Sequence, residues 1–142
     1  MTPIQKKVFQ ILQIFTQICD QLQLKYFLVC GSALGAVKYG GFVPWDDDVD
    51  VALFRNDYER FCKEAPALLP EQLFLQNFQS DPAFPAIYSK LRNSETTCIE
   101  ESVAALPINH GISIDIFPLD GYPKDKKAVS YTHLRAHETK AN

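Results

Sequence analysis

From Pro3 to Leu22, apolar residues recur at Ile4, Val8, Ile11, Leu12, Phe15, Ile18, Cys19 and Leu22. That is the period of an amphipathic helix, with Thr2 as its cap and Pro3 in the first turn, where a missing N–H costs nothing. Tyr26-Phe27-Leu28-Val29-Cys30 is an apolar run with β-branched and aromatic members that stops at Gly31-Ser32. It predicts a buried strand running into a turn, after which Ser32 can cap a helix carrying Ala33, Leu34, Gly35, Ala36 and Val37. Farther on, Asp48, Asp50 and Ala52 alternate with Val49, Val51 and Leu53. Successive strand side chains point oppositely, so the apolar set can be buried while the acidic set meets solvent or ligand. A second helix is predicted from about Asn56 to Leu69, burying Tyr58, Phe61, Cys62 and Ala65 and ended by Pro70. Leu73 to Phe78 is a candidate strand, and Asp81 to Pro85 a proline-punctuated loop. Two more stretches alternate: Tyr88, Lys90 and Arg92 against Ser89 and Leu91, and Ile112, Ile114 and Ile116 against Ser113, Asp115 and Phe117.

Composition narrows the class. With 142 residues and 46% hydrophobic content, the chain can build one core, though a small one for an enzyme with two substrates. A formal charge of −3 argues against a general nucleic-acid binder, which would show a basic face. No run of about 18 apolar residues exists, so no transmembrane segment is expected, and no apolar stretch follows Lys6 and Lys7 as a secretory signal would require. Cys19, Cys30, Cys62 and Cys98 form no Cys-x-x-Cys pair and are expected to be reduced core thiols of a cytoplasmic protein.

The chemistry concentrates in Pro44-Trp45-Asp46-Asp47-Asp48-Val49-Asp50-Val51, which sets four carboxylates within five positions. Crowded carboxylates raise one another's pKa and lose solvation on burial, so a fold holds them best around a cation. Asp48 and Asp50 lie about 6.6 Å apart along an extended strand, close enough for both side chains to converge on one ion. Mg²⁺ suits such a pair, because it keeps several waters and takes few protein carboxylates beside phosphate oxygens. A solvated acidic loop is the competing reading. A calcium loop starting at Asp46 is disfavoured, since its sixth position needs glycine and holds Val51, and its twelfth holds Asp57 in place of a bidentate Glu. Ahead of the run, a strand, a small-residue turn and a helix N-terminus at Gly31-Ser32 would gather backbone N–H groups around an anion such as phosphate. A phosphate cradle beside a carboxylate pair supplies the two parts a phosphoryl- or nucleotidyl-transfer site needs.

Gly31-Ser32-Ala33-Leu34-Gly35-Ala36-Val37-Lys38, followed by Gly40-Gly41-Phe42-Val43-Pro44-Trp45 and the acidic run, resembles the signature of the LicD/fukutin-related family of the nucleotidyltransferase superfamily. Asn109 to Asp120 is similar to that family's Gly-x-x-Ile-Asp-Ile-Phe-Pro-Leu-Asp strand, and Lys90-Leu91-Arg92, with Thr96 and Thr97 beyond, to its Lys-x-Arg element. The resemblance implies an α/β (α+β) fold, a nucleotidyltransferase-like mixed sheet flanked by helices, with residues 1–127 as the N-terminal part of a longer catalytic domain. It makes Asp48, Asp50 and Asp115 the catalytic candidates, with Asp48, Asp50 and Asp46 as ligands for Mg²⁺, or alternatively Mn²⁺. Gly31, Ser32, Lys38, Lys90 and Arg92 become the substrate-binding candidates, Lys38 standing where the family often has arginine. The competing reading of Lys90 and Arg92 is an exposed strand face. That of Asp115 is a strand-edge turn, and Asp120 ahead of Gly121 is assigned to turn chemistry.

The implied reaction moves phosphocholine or a related substituted phosphate from CDP-choline or another CDP-alcohol to a hydroxyl of a glycan acceptor on the cell surface. A cytoplasmic enzyme at the inner face of the membrane, held peripherally, fits that reaction. A nucleotide- and metal-binding fragment without turnover, and a nucleotidyltransferase acting on a protein or small molecule, are the alternatives. Residues 128–142 lack the apolar periodicity of the preceding chain and are expected to be a non-native tail. Its His133 and His137 do not form the zinc-protease His-Glu-x-x-His pattern.

Overall fold

The computed structural model describes residues 1–121; the expectations for the tail lie outside them. Helix α1 (Pro3–Gln21) leads into β1 (Tyr26–Leu28), α2 (Cys30–Tyr39), β2 (Asp50–Phe54), α3 (Arg55–Glu64), β3 (Leu73–Gln76), β4 (Ser89–Asn93) and β5 (Ile112–Leu119). The strands form one sheet in the order β1-β2-β5-β4-β3. Among the described residues β2 and β5 run parallel, and β1–β2, β4–β5 and β3–β4 are antiparallel. This is the mixed sheet flanked by helices that the resemblance implies.

Helix α1 begins as its periodicity requires. Thr2 Oγ1 accepts from Gln5 N at 3.1 Å and Gln5 Oε1 accepts from Thr2 N at 3.0 Å, a capping box that satisfies two otherwise orphaned donors. Val8, Ile11, Phe15 and Ile18 on one face pack with Val51, Leu53, Phe61, Leu91, Ile114 and Ile116. Phe15 lies at the centre, its ring 5.2 Å from Phe61 and 5.7 Å from Tyr26. Burying each large side chain of this set contributes roughly 1.5–3 kcal/mol.

Four expectations need correction. The strand at Tyr26 is at the sheet edge and only half-buried, and it ends at Leu28 because Val29 already serves as the N-cap of α2. Ser32 therefore lies inside the first turn of α2, and its hydroxyl is directed at β2 instead of capping its own helix. The second helix stops at Glu64, and Ala65–Leu68 tightens into a 3₁₀ turn, because Pro66, ahead of Pro70, can neither donate to the α-helical ladder nor clear the preceding turn. The cysteines are all unpaired, but Cys30 and Cys98 are exposed and only Cys19 is fully buried, where desolvation pushes its thiol up to about 12.

Candidate functional site

The sheet register builds the site. Asp50 pairs with Asp115 across the parallel β2–β5 ladder, and Asp115 pairs with Lys90 across β4–β5. Paired residues point to the same face, and neighbouring strands lie about 4.8 Å apart, so these side chains form one row. Asp115 Oδ1 is 2.9 Å from Lys90 Nζ, which also reaches Glu100 Oε1 at 3.1 Å. The next row on this face is apolar: Phe27, Ala52 and Phe117 in register, with Tyr88 against Phe117 at 4.6 Å. Ala52 is accordingly buried, and the acidic face of β2 closes after Asp50.

Asp48 precedes β2 in the loop that carries Asp46 and Asp47. Each of these three residues offers a carboxylate oxygen within 4.8 Å of the others, a grouping that brings in Asp47 and leaves out Asp50 and Asp115. Three hydrogen bonds set this loop in place. Gln5 Nε2 donates to the Asp46 carbonyl at 2.6 Å, and Asp46 Oδ1 accepts from the backbone N–H groups of Asp47 and Asp48 at 2.9 and 3.2 Å. Ser32 Oγ accepts from Asp50 N at 2.9 Å, and Val29 N donates to Asp50 O at 3.0 Å, so the start of α2 is stitched to the start of β2. Gly31 faces the loop closely: a Cβ there would stand 3.2 Å from Asp46 Oδ2.

Burial raises the Asp50 carboxyl to about 6, with Asp115, Asp48 and Asp46 adding repulsion and Lys90 opposing it. Asp48 is raised for the same reasons, burial first and then Asp46, Asp47 and Asp115. Burial pulls the Lys90 ammonium down, but Asp115 and Glu100 outweigh it and its pKa stands above the ordinary lysine value. The electrostatic imbalance is plain: Asp46, Asp47, Asp48, Asp50 and Asp115 surround a cluster in which Lys90 is already shared with Glu100. Hard carboxylate oxygens in excess of positive charge fit a divalent cation of the Mg²⁺ type.

A cavity of about 370 Å³ opens beside this cluster, with Asp47, Asp48, Lys90, Arg92, Ser113 and Asp115 in its wall. Lys90 and Arg92 are 7% and 2% exposed, which rules out the exposed-strand reading. Gly31, Ser32, Asp50 and Lys38 do not line the cavity. Ser32 lines a separate, mainly apolar cavity of about 390 Å³ between α1 and α2. Lys38 lies in the last turn of α2, exposed, with its ammonium 5.5 Å from the Tyr39 ring centroid. Asp120 is held by an ion pair, not a turn: Arg55 donates to both its oxygens, at 2.7 and 2.9 Å, joining the end of β5 to the start of α3.

Gln5, Gln76 and Glu100 are site-shaping residues that sequence reasoning missed. The Thr2-x-x-Gln5 spacing is a readable capping box that would have marked Gln5 as part of the helix start, though not as a donor to the Asp46 carbonyl. Nothing local marks Glu100, which reaches Lys90 from a loop ten positions on, or Gln76, which holds Arg92 from the neighbouring strand.

Residues 23–141 match the family described as LicD/FKTN/FKRP, nucleotidyltransferase domain. The chain is 29% identical over 127 residues to the lipopolysaccharide cholinephosphotransferase LicD of Haemophilus influenzae, covering 89% of this chain and 46% of that protein. It is 25% identical over 118 residues to an uncharacterised protein of Rickettsia prowazekii, 82% of this chain and 40% of that one. A shorter stretch of 40 residues, 28% of this chain and 8% of the relative, is 38% identical to human ribitol 5-phosphate transferase FKRP. The chain thus spans less than half the length of these curated relatives.

Proposed function

This chain belongs to the LicD/FKTN/FKRP family of nucleotidyltransferase domains, and from that premise we propose that residues 1–127 are the N-terminal catalytic part of a metal-dependent phosphotransferase. The group transferred is phosphocholine or a related alcohol phosphate, the donor a CDP-alcohol, and the acceptor a hydroxyl of a cell-surface glycan. The relatives, a cholinephosphotransferase and a ribitol 5-phosphate transferase, support a substituted phosphate as the cargo. The observation that carries the reading is the Asp50–Asp115–Lys90 row beside the Asp46–Asp48 oxygen cluster, since a structural role would not require so many carboxylates at one place.

Asp48, Asp50 and Asp46 would hold Mg²⁺ or Mn²⁺, with Asp115 completing the set. The bound ion would neutralise charge on the diphosphate as the leaving CMP separates. Asp115 serves equally as the group that takes the proton of the attacking glycan hydroxyl, if the acceptor approaches within hydrogen-bond reach. In that step the new glycan O–P bond forms, the P–O bond to CMP breaks, and the proton passes to the Asp115 carboxylate. Lys90, anchored by Glu100, fixes the orientation of Asp115. Gly31 and Ser32 present the first-turn N–H groups of α2, and the Ser32 hydroxyl keeps Asp50 in place. Among the described residues no helix is long and apolar enough to cross a membrane, and a cytoplasmic site of action with peripheral attachment fits an acceptor assembled there.

A product assay tests the reading. With Mg²⁺, CDP-choline or CDP-ribitol and a glycan acceptor should yield CMP and modified glycan, excess EDTA should stop it, and ATP should not replace the donor. Turnover unaffected by EDTA would exclude the metal mechanism, and binding of CDP-choline without turnover would identify a ligand-binding half.

A further inference from the structure

Lys90 and Arg92 share a strand face, yet the structure gives them opposite situations. The Lys90 ammonium is neutralised twice, by Asp115 and Glu100. Arg92 is 2% exposed, and its bonds go to neutral acceptors: Nε to Gln76 Oε1 and Nη1 to the Gly111 carbonyl, both at 2.6 Å. Among the described residues, no carboxylate lies within ion-pairing distance of it, and its Nη2 makes no hydrogen bond. A guanidinium withdrawn from water with no carboxylate in direct contact is costly unless an anion completes it, and Glu100 and Asp115 act on it only from a distance. The wall of the 370 Å³ cavity includes Arg92, so the charge is reachable from there.

The surroundings fix the guanidinium in one orientation. Gln76, itself fully buried, donates through Nε2 to Asp81 Oδ2 at 2.9 Å and to the Asn109 carbonyl at 3.0 Å, leaving its Oε1 as the acceptor for Arg92. Arg92 pairs with Ser113 across β4–β5, two residues from the Lys90–Asp115 pair, which is roughly 6.8 Å along the strands. Arg92 thus stands one same-face position beyond the carboxylate row, with the Ser113 hydroxyl and not a carboxylate opposite it.

We propose that Arg92 forms a second, metal-independent subsite of the cavity, which takes a tetrahedral phosphate oxyanion other than the one at the carboxylate row. The Arg92 fork supplies the charge, and the Ser113 hydroxyl stands opposite it in register. This inference rests on the phosphotransferase reading for its ligand class, but it requires no metal. The phosphate can come from the donor side, as the nucleoside phosphate, or from a phosphorylated acceptor.

The test is a calorimetric titration of the chain in EDTA with inorganic phosphate, CMP and glucose 6-phosphate. Saturable phosphate binding is expected, weakened at least tenfold in Arg92→Gln. Tighter binding of CMP would assign the subsite to the donor, and tighter binding of the sugar phosphate would assign it to the acceptor. Because Arg92→Gln could disturb the fold, the wild-type chain is also titrated while its arginine Nε–Hε resonances are followed by NMR. Arg92 should shift with phosphate, and Arg55 and Arg60 should not. Absence of binding in EDTA, or binding that leaves the Arg92 resonance unmoved, would overturn the proposal, even if Mg²⁺ binding at the carboxylates were intact. Conversely, loss of Mg²⁺ binding with phosphate still shifting Arg92 would overturn the metal reading and leave the subsite standing.

Discussion

Asp50 makes the ion-free protein work against itself. Its carboxyl is raised from 3.8 to about 6, chiefly by burial and then by Asp115 and Asp48, so the folded chain binds that proton more tightly than the unfolded chain. A raised carboxyl pKa means that its contribution to stability falls as pH climbs between 3.8 and about 6 and stays low above it. Asp50→Asn removes the charge and little volume. In chelator it should flatten this fall and melt higher than wild type at neutral pH, while losing both the stabilisation by Mg²⁺ and the transfer activity. Melting curves from pH 4 to 8, with and without the ion, check this; a variant that Mg²⁺ stabilises as much as wild type would contradict the assignment. Cys30 is a second residue out of its preferred state, with φ at 55° where β1 passes into α2. The left-handed penalty of about 1–2 kcal/mol is partly offset by the added chain entropy of glycine, so Cys30→Gly should stabilise the fold by roughly 0.5 kcal/mol in urea melts.

Among the elements, β5 is the hub, pairing with β2 on one side and β4 on the other. Its approach depends on Gly111, where a Cβ would stand 2.1 Å from the Asn93 carbonyl oxygen. Backbone cannot yield as a flexible side chain can, so Gly111→Ala should destabilise by about 2–3 kcal/mol and displace the carbonyl that holds Arg92, measurable as a lower urea midpoint. The periodicity of α1, β2 and β5 was legible because each has an apolar face that must be buried, and that requirement is local. Asp48 and Asp50 stood out as candidate chemistry because four carboxylates crowd the start of an alternating strand, whereas Asp115 was singled out only by the family resemblance. What could not be read was non-local: which strand pairs with which, the placement of Glu100 against Lys90, and the hold of Gln76 on Arg92. The Ser32 reading went astray because a serine near a helix start has two uses for its hydroxyl, and β2, distant in sequence, claimed it.

At the scale of the molecule, the described residues set an apolar core beneath a charged face. Phe15 joins α1 to α3 and β1, so Phe15→Ala should cost about 3–5 kcal/mol, a large share of the stability of a domain this size, and lower the thermal midpoint sharply. The sheet carries that core on one side and the carboxylates with Lys90 on the other, which couples the fold to the site through β2 and β5. The proposed divalent cation is held at the edge of this face by Asp46, Asp48 and Asp50, with Asp115 completing the set. Calorimetric titration of Mg²⁺ into the chain in the presence of CDP-choline measures this most directly. The account predicts saturable binding that is lost in both Asp50→Asn and Asp115→Asn, whereas no binding, or affinity unchanged in those variants, would contradict it.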